Sequence, residues 1–235
     1  MLDIHTHILP EMDDGSRSVK QSISMLRRER KQGITRVALT SHFYADKETP
    51  EDFLARRTAA IRALETAMSG KGSLPLIIPA AEVAYFTGIS RTEGIEQLCI
   101  GDAPAMLIEM PFCRWTRNVL DEIEFLMEYR GIRPILAHIE RYMRFQPRGT
   151  IRQLCDSGVW IQANASFFLR WQTVGKAVRM LRRNEIHFIG SDCHDVKHRP
   201  PNMEAAISVI DRRLGKLALN HLKMMEERLL EEEMR

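Results

Sequence analysis

A chain of 235 residues, 44% hydrophobic and 28% charged, has the composition of a soluble globular protein long enough to bury a sizeable core. Its 34 basic and 31 acidic residues leave a net charge of only +3, with no basic stripe beyond short runs such as residues 27–31, which argues against nucleic acid as the main partner. Four scattered cysteines without a C-x-x-C spacing suit reduced thiols, no apolar run approaches a membrane span, and the first strand starts too early for a signal peptide, so the expectation is a cytoplasmic protein without membrane insertion.

The opening run LDIHTHI (2–8) reads as a strand on which His5 and His7 share a face, because side chains alternate. Two imidazoles so placed are either satisfied core histidines or ligands of one ion, and the pair alone does not decide. Val19, Ile23 and Leu26 then follow at helical spacing, with Gly33 as the stop. TRVALTSHF (35–43) is the second strand. Thr49, followed by Pro50, Glu51 and Asp52, starts a helix in which Leu54, Ile61, Leu64 and Met68 share a face. LIIPAAEVA (76–84) and AMLIEMP (105–111) are the next strands. Val119, Ile123 and Leu126 mark the helix before RPILAHIER (133–141), and VWIQANAS (159–166) and IHFIGSDCHD (186–195) bring the strands to seven. The tail from about residue 216, with Leu222, Met225 and Leu229 on one side, reads as an amphipathic helix that packs on its own domain. No repeat or linker divides the chain, so residues 1–235 are expected to form one domain.

Strands alternating with helices imply a parallel sheet, doubly wound or closed into a barrel. The polar residues favour the barrel. Six of the seven runs end in residues able to bind metal: His5 and His7, His42, Glu82, Glu109, His138, and Asp192 with His194; the remaining run ends in Asn164. In a barrel all these ends meet at one rim, whereas an open sheet spreads them along a line. Gathered there without a cation, Glu82, Glu109 and Asp192 would repel one another and be costly to desolvate. Mixed imidazole and carboxylate ligands suit Mn, Fe or Zn, and several clustered ions suggest hydrolysis.

DIHTHILPEMDDG (3–15), EVAYFTG (82–88), AHIERY (137–142) and GSDCHD (190–195) resemble the PHP superfamily (polymerase and histidinol phosphatase). More narrowly, they resemble the metal-dependent protein-tyrosine phosphatases encoded with bacterial capsule and exopolysaccharide genes. The resemblance runs from residue 3 to about residue 200 and implies an α/β fold, a distorted (β/α)7 TIM-like barrel of PHP type with its metal site at the C-terminal rim. It implies three divalent ions, usually manganese. By position, His5, His7, Glu82 and Asp192 would surround one ion; Glu82 would bridge to a second, held also by Glu109 and His138; Asp14, His42 and His194 would hold the third. The family's phosphate-binding arginines fall on Arg141 and Arg199, and a planar guanidinium fork suits phosphate oxygens. The implied reaction is in-line attack of activated water on phosphotyrosine. The implied partner is a phosphotyrosine-bearing protein, the C-terminal tail of a bacterial tyrosine kinase. Two alternatives stand beside it: a small-molecule phosphatase of the histidinol phosphate kind, and a catalytically weak regulator that binds the phosphorylated tail.

CHDVKHR (193–199) also satisfies C-x5-R, the signature of cysteine-dependent tyrosine phosphatases. It contains no glycine to shape an amide cradle, and Asp192 and Asp195 would raise the thiol pKa, so Cys193 is expected to face away from the site. Asp195 is expected to put a negative charge beside the phosphate. His187, His198 and His221 are expected to be structural or surface residues.

Overall fold

The computed structural model describes residues 1–231, and every strand pairing among them is parallel. Strands β1 (Leu2–Thr6), β2 (Arg36–Leu39) and β4 (Leu76–Pro79) form one sheet in the order β1-β2-β4. Strands β3 (His42–Phe43), β5 (Glu82–Ala84), β6 (Ala105–Glu109), β7 (Arg133–Leu136), β8 (Trp160–Asn164) and β9 (Phe188–Gly190) form the second in that order. The sheets curl together where β9 meets β1: Asp192 N donates to His5 O at 2.8 Å and His7 N to Cys193 O at 2.9 Å. The result is a distorted parallel barrel.

Seven strand runs thus become nine strands among the described residues. TRVALTSHF breaks at residues 40–41 into β2 and β3, and LIIPAAEVA breaks at 80–81 into β4 and β5. Each first half pairs on the β1 side and each second half on the β6 side, so both runs change sheets at the break. Side chains carry the hydrogen bonds that the ladder loses there. Thr6 N donates to Thr40 Oγ1 at 2.8 Å, and Thr6 Oγ1 to Ala38 O at 2.7 Å. Such local substitution keeps buried backbone groups paired.

Among the described residues seven α-helices surround the strands: α1 (Val19–Lys31), α2 (Pro50–Met68), α3 (Arg117–Arg130), α4 (Thr150–Asp156), α5 (Val174–Arg182), α6 (Met203–Leu214) and α7 (Lys216–Glu231). The expected start of α2 is present, with Thr49 Oγ1 accepting from Asp52 N at 3.2 Å. A large apolar core includes Leu26, Phe43, Phe53, Ile108 and Leu126, with Leu222 of α7 joining it. A second cluster of Leu2, Ile4, Leu107, Ile135 and Phe188 is completed by Met225 and Leu229. The tail therefore packs on its own barrel, as its apolar spacing implies. No helix among the described residues is long and apolar enough to cross a membrane. Because the strands are parallel, their carboxyl ends share one rim, and the site is there.

Candidate metal centre

At that rim the structure gathers every ligand candidate. His5 Nε2 lies 3.1 Å from Glu82 Oε2 and 3.7 Å from Asp192 Oδ1; His7 Nε2 lies 3.3 and 3.5 Å from the same two atoms. The two Nε2 atoms are 3.2 Å apart. Glu82 is the hub, since His42 Nδ1 approaches its Oε2 to 3.1 Å and His138 Nε2 approaches its Oε1 to 2.9 Å. Glu109 Oε1 stands 3.4 Å from His138 Nε2. Asp14 is the outlying member. Its side chain is 66% exposed, yet Oδ1 reaches His194 Nε2 at 3.3 Å and His42 Nε2 at 3.7 Å. Three overlapping groups have spacing suited to an ion: His7, Asp14, His42 and His194; His5, His7 and Asp192; His42, Glu82 and Glu109. Two members, His138 and Asp192, hold left-handed backbone angles, φ 30° and 54°, which cost energy in any residue but glycine.

Partners around this centre settle which way the imidazoles present their lone pairs. His194 Nδ1 lies 3.1 Å from the carbonyl of Asp192, which can only accept, so that nitrogen carries the proton and Nε2 faces Asp14 bare. His7 Nδ1 donates to Asp13 Oδ2 at 2.8 Å, and His5 Nδ1 to Gln162 Oε1 at 3.2 Å. Three inward nitrogens thus face the carboxylates, the orientation outer partners impose on metal-binding histidines. Burial opposes charge on His7, yet Asp13, Asp192 and Glu82 raise it well above the usual imidazole range, so its inward nitrogen carries a proton that an ion would displace. Burial alone would raise Glu82 and Asp192, but the histidines around both, with Arg141 beside Asp192, hold them well below the usual carboxylate range. Burial and the adjacent His7 and Arg199 push His194 down to about 4. Burial opposes charge on His138 too, yet Glu109 and Glu82 raise it to about 9. A proton bound so firmly occupies the lone pair a divalent ion would take, so loading such a centre releases protons. The donor set fits a divalent cation.

Asp13 and Gln162 are members that sequence reasoning missed, and Asn164, noted there only as a strand end, has a partner role as well. Besides His7, Asp13 accepts from His42 N at 2.9 Å and Gly15 N at 2.9 Å. Gln162 Oε1 also accepts from His138 N at 2.6 Å, and Gln162 Nε2 donates to Asn164 Oδ1 at 3.0 Å. Asn164 Nδ2 donates in turn to Asp192 Oδ2 at 2.8 Å. Two polar residues in alternate positions of a buried strand were the available signal.

Both arginine candidates reach the centre and converge on Asp192. Arg141 Nη2 pairs with Oδ2, and Arg199 Nη2 with Oδ1 at 2.7 Å. The loop carrying Arg199 closes on itself: Asp195 Oδ1 accepts from Lys197 N at 2.5 Å and His198 N at 2.6 Å, and His194 N donates to Arg199 O at 2.9 Å. Asp195 thus shapes this loop with hydrogen bonds. Cys193 is fully buried and turned to the other side, its Sγ 3.8 Å from Glu29 Oε1; burial and the carboxyls of Glu29 and Asp3 push the thiol well up. That is the reverse of an activated nucleophile. His198 is exposed, and His187 Nδ1 accepts from Ile161 N at 3.0 Å.

The family model for capsular polysaccharide synthesis, CpsB/CapC, matches residues 1–230. The chain is 29% identical over 227 residues to the tyrosine-protein phosphatase CpsB of Streptococcus pneumoniae, an alignment covering 92% of this chain and 91% of that protein. It is 29% identical over 222 residues to the tyrosine-protein phosphatase YwqE of Bacillus subtilis, covering 92% and 85%. A solved structure from work on YwqE of Bacillus subtilis and CpsB of Streptococcus pneumoniae, described as metal-dependent tyrosine phosphatases, superposes with a TM-score of 0.87. Identity there is 26%, over 99% of this chain and 95% of that one. The histidinol phosphate phosphatase of Lactococcus lactis, with zinc, L-histidinol and phosphate, shares the fold at a TM-score of 0.56 and 16% identity, over 93% and 94%.

Proposed function

Since the chain belongs to the capsular polysaccharide synthesis family CpsB/CapC, we infer that it is a metal-dependent protein-tyrosine phosphatase of a capsule or exopolysaccharide system, acting in the cytoplasm as one domain of residues 1–235. The observation that carries this reading is that Nε2 of His5, His7 and His194 all face carboxylates while the Nδ1 atoms are engaged by outer partners. In this reading the centre would take three divalent ions, manganese before iron or zinc. His5, His7, Glu82 and Asp192 would hold the first, Glu82, Glu109 and His138 the second, and Asp14, His42 and His194 the third. When bound, such ions offset the carboxylate charge, make water a competent nucleophile near neutral pH and stabilise the transferring phosphoryl group.

The remaining work belongs to the chain. Asp13 and Gln162 fix the rings of His7 and His5. Arg141 and Arg199, both oriented by Asp192, present guanidinium donors to the equatorial phosphate oxygens. A tyrosinate leaving group has a pKa of about 10 and departs without a side-chain acid. The proposed substrate is phosphotyrosine on the C-terminal tail of a bacterial tyrosine kinase.

The test is phosphate release from a phosphotyrosyl peptide by chelator-stripped protein, before and after manganese is returned, with Cys193→Ser alongside. Release should require metal and be equal in the Ser variant. Release by stripped protein that disappears in Cys193→Ser would overturn the reading. Turnover of histidinol phosphate alone would favour a small-molecule phosphatase, and tight peptide binding without turnover a regulator.

A further inference from the structure

Beside the two site arginines lies a cavity of about 260 Å³, lined among others by Arg141, Arg199, Arg170, Ser166, Thr173 and Asn202. Its two acidic residues are already engaged. Asp192 pairs with Arg141 and Arg199, and Glu140 Oε2 accepts from Asn164 N at 3.3 Å. Arg170 is different: among the described residues its guanidinium has no hydrogen bond or ion pair. The cavity therefore offers one cationic donor that the fold leaves unused. A carboxylate would satisfy it, with a charge-assisted and bidentate pair.

The surroundings extend the same charge. Thr173, which lines the cavity, immediately precedes α5, and the flank of α5 borders a groove of about 810 Å³. Arg148, Lys176, Arg179 and Arg183 line that groove and make no ion pair among the described residues, while Met143 and Met180 contribute apolar surface and Glu185 is its single acid. Met143 follows Arg141 by two residues, so the groove begins next to the site. Like charges collected in a concavity repel one another and focus a positive potential, which an anionic partner relieves.

We propose that this flank reads the polypeptide around the phosphotyrosine, and that the substrate carries acidic residues there: one on Arg170 next to the phosphorylated residue, others along Lys176, Arg179 and Arg183. The inference rests on the phosphatase reading of the same site. A concave groove with an apolar floor suits an extended chain better than a flat anionic bilayer.

The experiment compares kcat/KM for a phosphotyrosyl peptide flanked by Asp and Glu with that for the same peptide flanked by Ala. Wild type is measured beside Arg170→Gln and the triple variant Lys176→Ala/Arg179→Ala/Arg183→Ala, all exposed positions, with folding followed by circular dichroism. Wild type should prefer the acidic peptide by about tenfold, chiefly through KM, and less at high salt. Each variant should lose most of that preference. An active wild type that treats both peptides alike overturns the inference and leaves the phosphatase reading intact, as does a preference that survives in both variants. A wild type inactive on both peptides overturns the phosphatase reading, and the inference with it. Pelleting with phosphatidylglycerol vesicles that the triple variant abolishes, without any peptide preference, overturns it in favour of a bilayer.

Discussion

Gly190 ends β9 against β1, and an added Cβ there would sit 2.6 Å from His5 Cβ, 3.1 Å from His5 N and 3.0 Å from Gln162 Nε2. Carbon atoms in contact rest about 3.5–4.0 Å apart, so Gly190→Ala requires a separation of roughly 1 Å. The obstacle cannot swing aside, because His5 Cβ and N belong to the strand itself. Overpacking of this kind costs about 1–3 kcal/mol. In a chain of this length that lowers Tm by roughly 2–12 °C. Activity should suffer more than stability. The displaced strand carries His5, and a 1 Å error in a catalytic constellation can cost about 100-fold. Measured on p-nitrophenyl phosphate at saturating manganese, the folded variant should have a kcat lower by about two orders of magnitude. A Gly190→Ala protein with wild-type Tm and wild-type kcat would refute the claim that close approach of β9 to β1 sets the site.

Phe112 is 49% exposed, with its ring 6.3 Å from that of His138 and 5.1 Å from that of Tyr142, placed to stack on an aryl group entering the centre. Phe112→Ala should raise KM for phosphotyrosine about fivefold and affect glycerol phosphate less; equal effects on both esters would exclude stacking. Glu226 Oε2 accepts from Leu2 N at 2.9 Å, and burial, only partly offset by this bond and nearby cations, raises its carboxyl from 4.5 to about 7. A carboxyl raised by folding contributes stability that is fully present below pH 4.5 and lost as pH rises through 7. Gln retains the acceptor without the charge. Glu226→Gln should therefore be more stable than wild type at pH 8, by about 1–2 kcal/mol after allowance for solvent screening, and no more stable at pH 4.5. Thermal melts at the two pH values test this, and identical melts at pH 8 would remove the burial argument.

Apart from Asp14, which only the family resemblance supplied, the ligand candidates were legible because each falls toward the end of an apolar run, where a parallel barrel delivers residues to one rim. Strand alternation put His5 and His7 on one face, and the metal-binding residues ending the other runs turned that pair into ligand candidates. The strand breaks were not legible. TRVALTSHF is uninterrupted as a sequence, and its division at residues 40–41 is decided by β1 on one side and β5 on the other, partners brought from elsewhere in the chain. Asp13 was hidden by its neighbour. In the DDG stretch either acid could turn inward, and the choice depends on Gly15 lying so close to His7 that a Cβ would be 2.3 Å from His7 O. That approach is a tertiary fact. Gln162 and Asn164 were readable in VWIQANAS as a polar pair at period two, but their amides lack the charge that draws attention to a ligand.

The left-handed backbone at His138 and Asp192 bears on how this protein can be made hardier. Glycine or asparagine adopts that conformation with less strain, so replacing either residue would relieve on the order of 1 kcal/mol. A library selected for heat resistance alone is thereby rewarded for erasing the centre, one position at a time. Directed evolution of this scaffold needs turnover scored in every round, or histidine and aspartate held invariant at 138 and 192. The room for stabilising change lies on the outer faces of the helices and at positions such as Glu226, far from the strained pair.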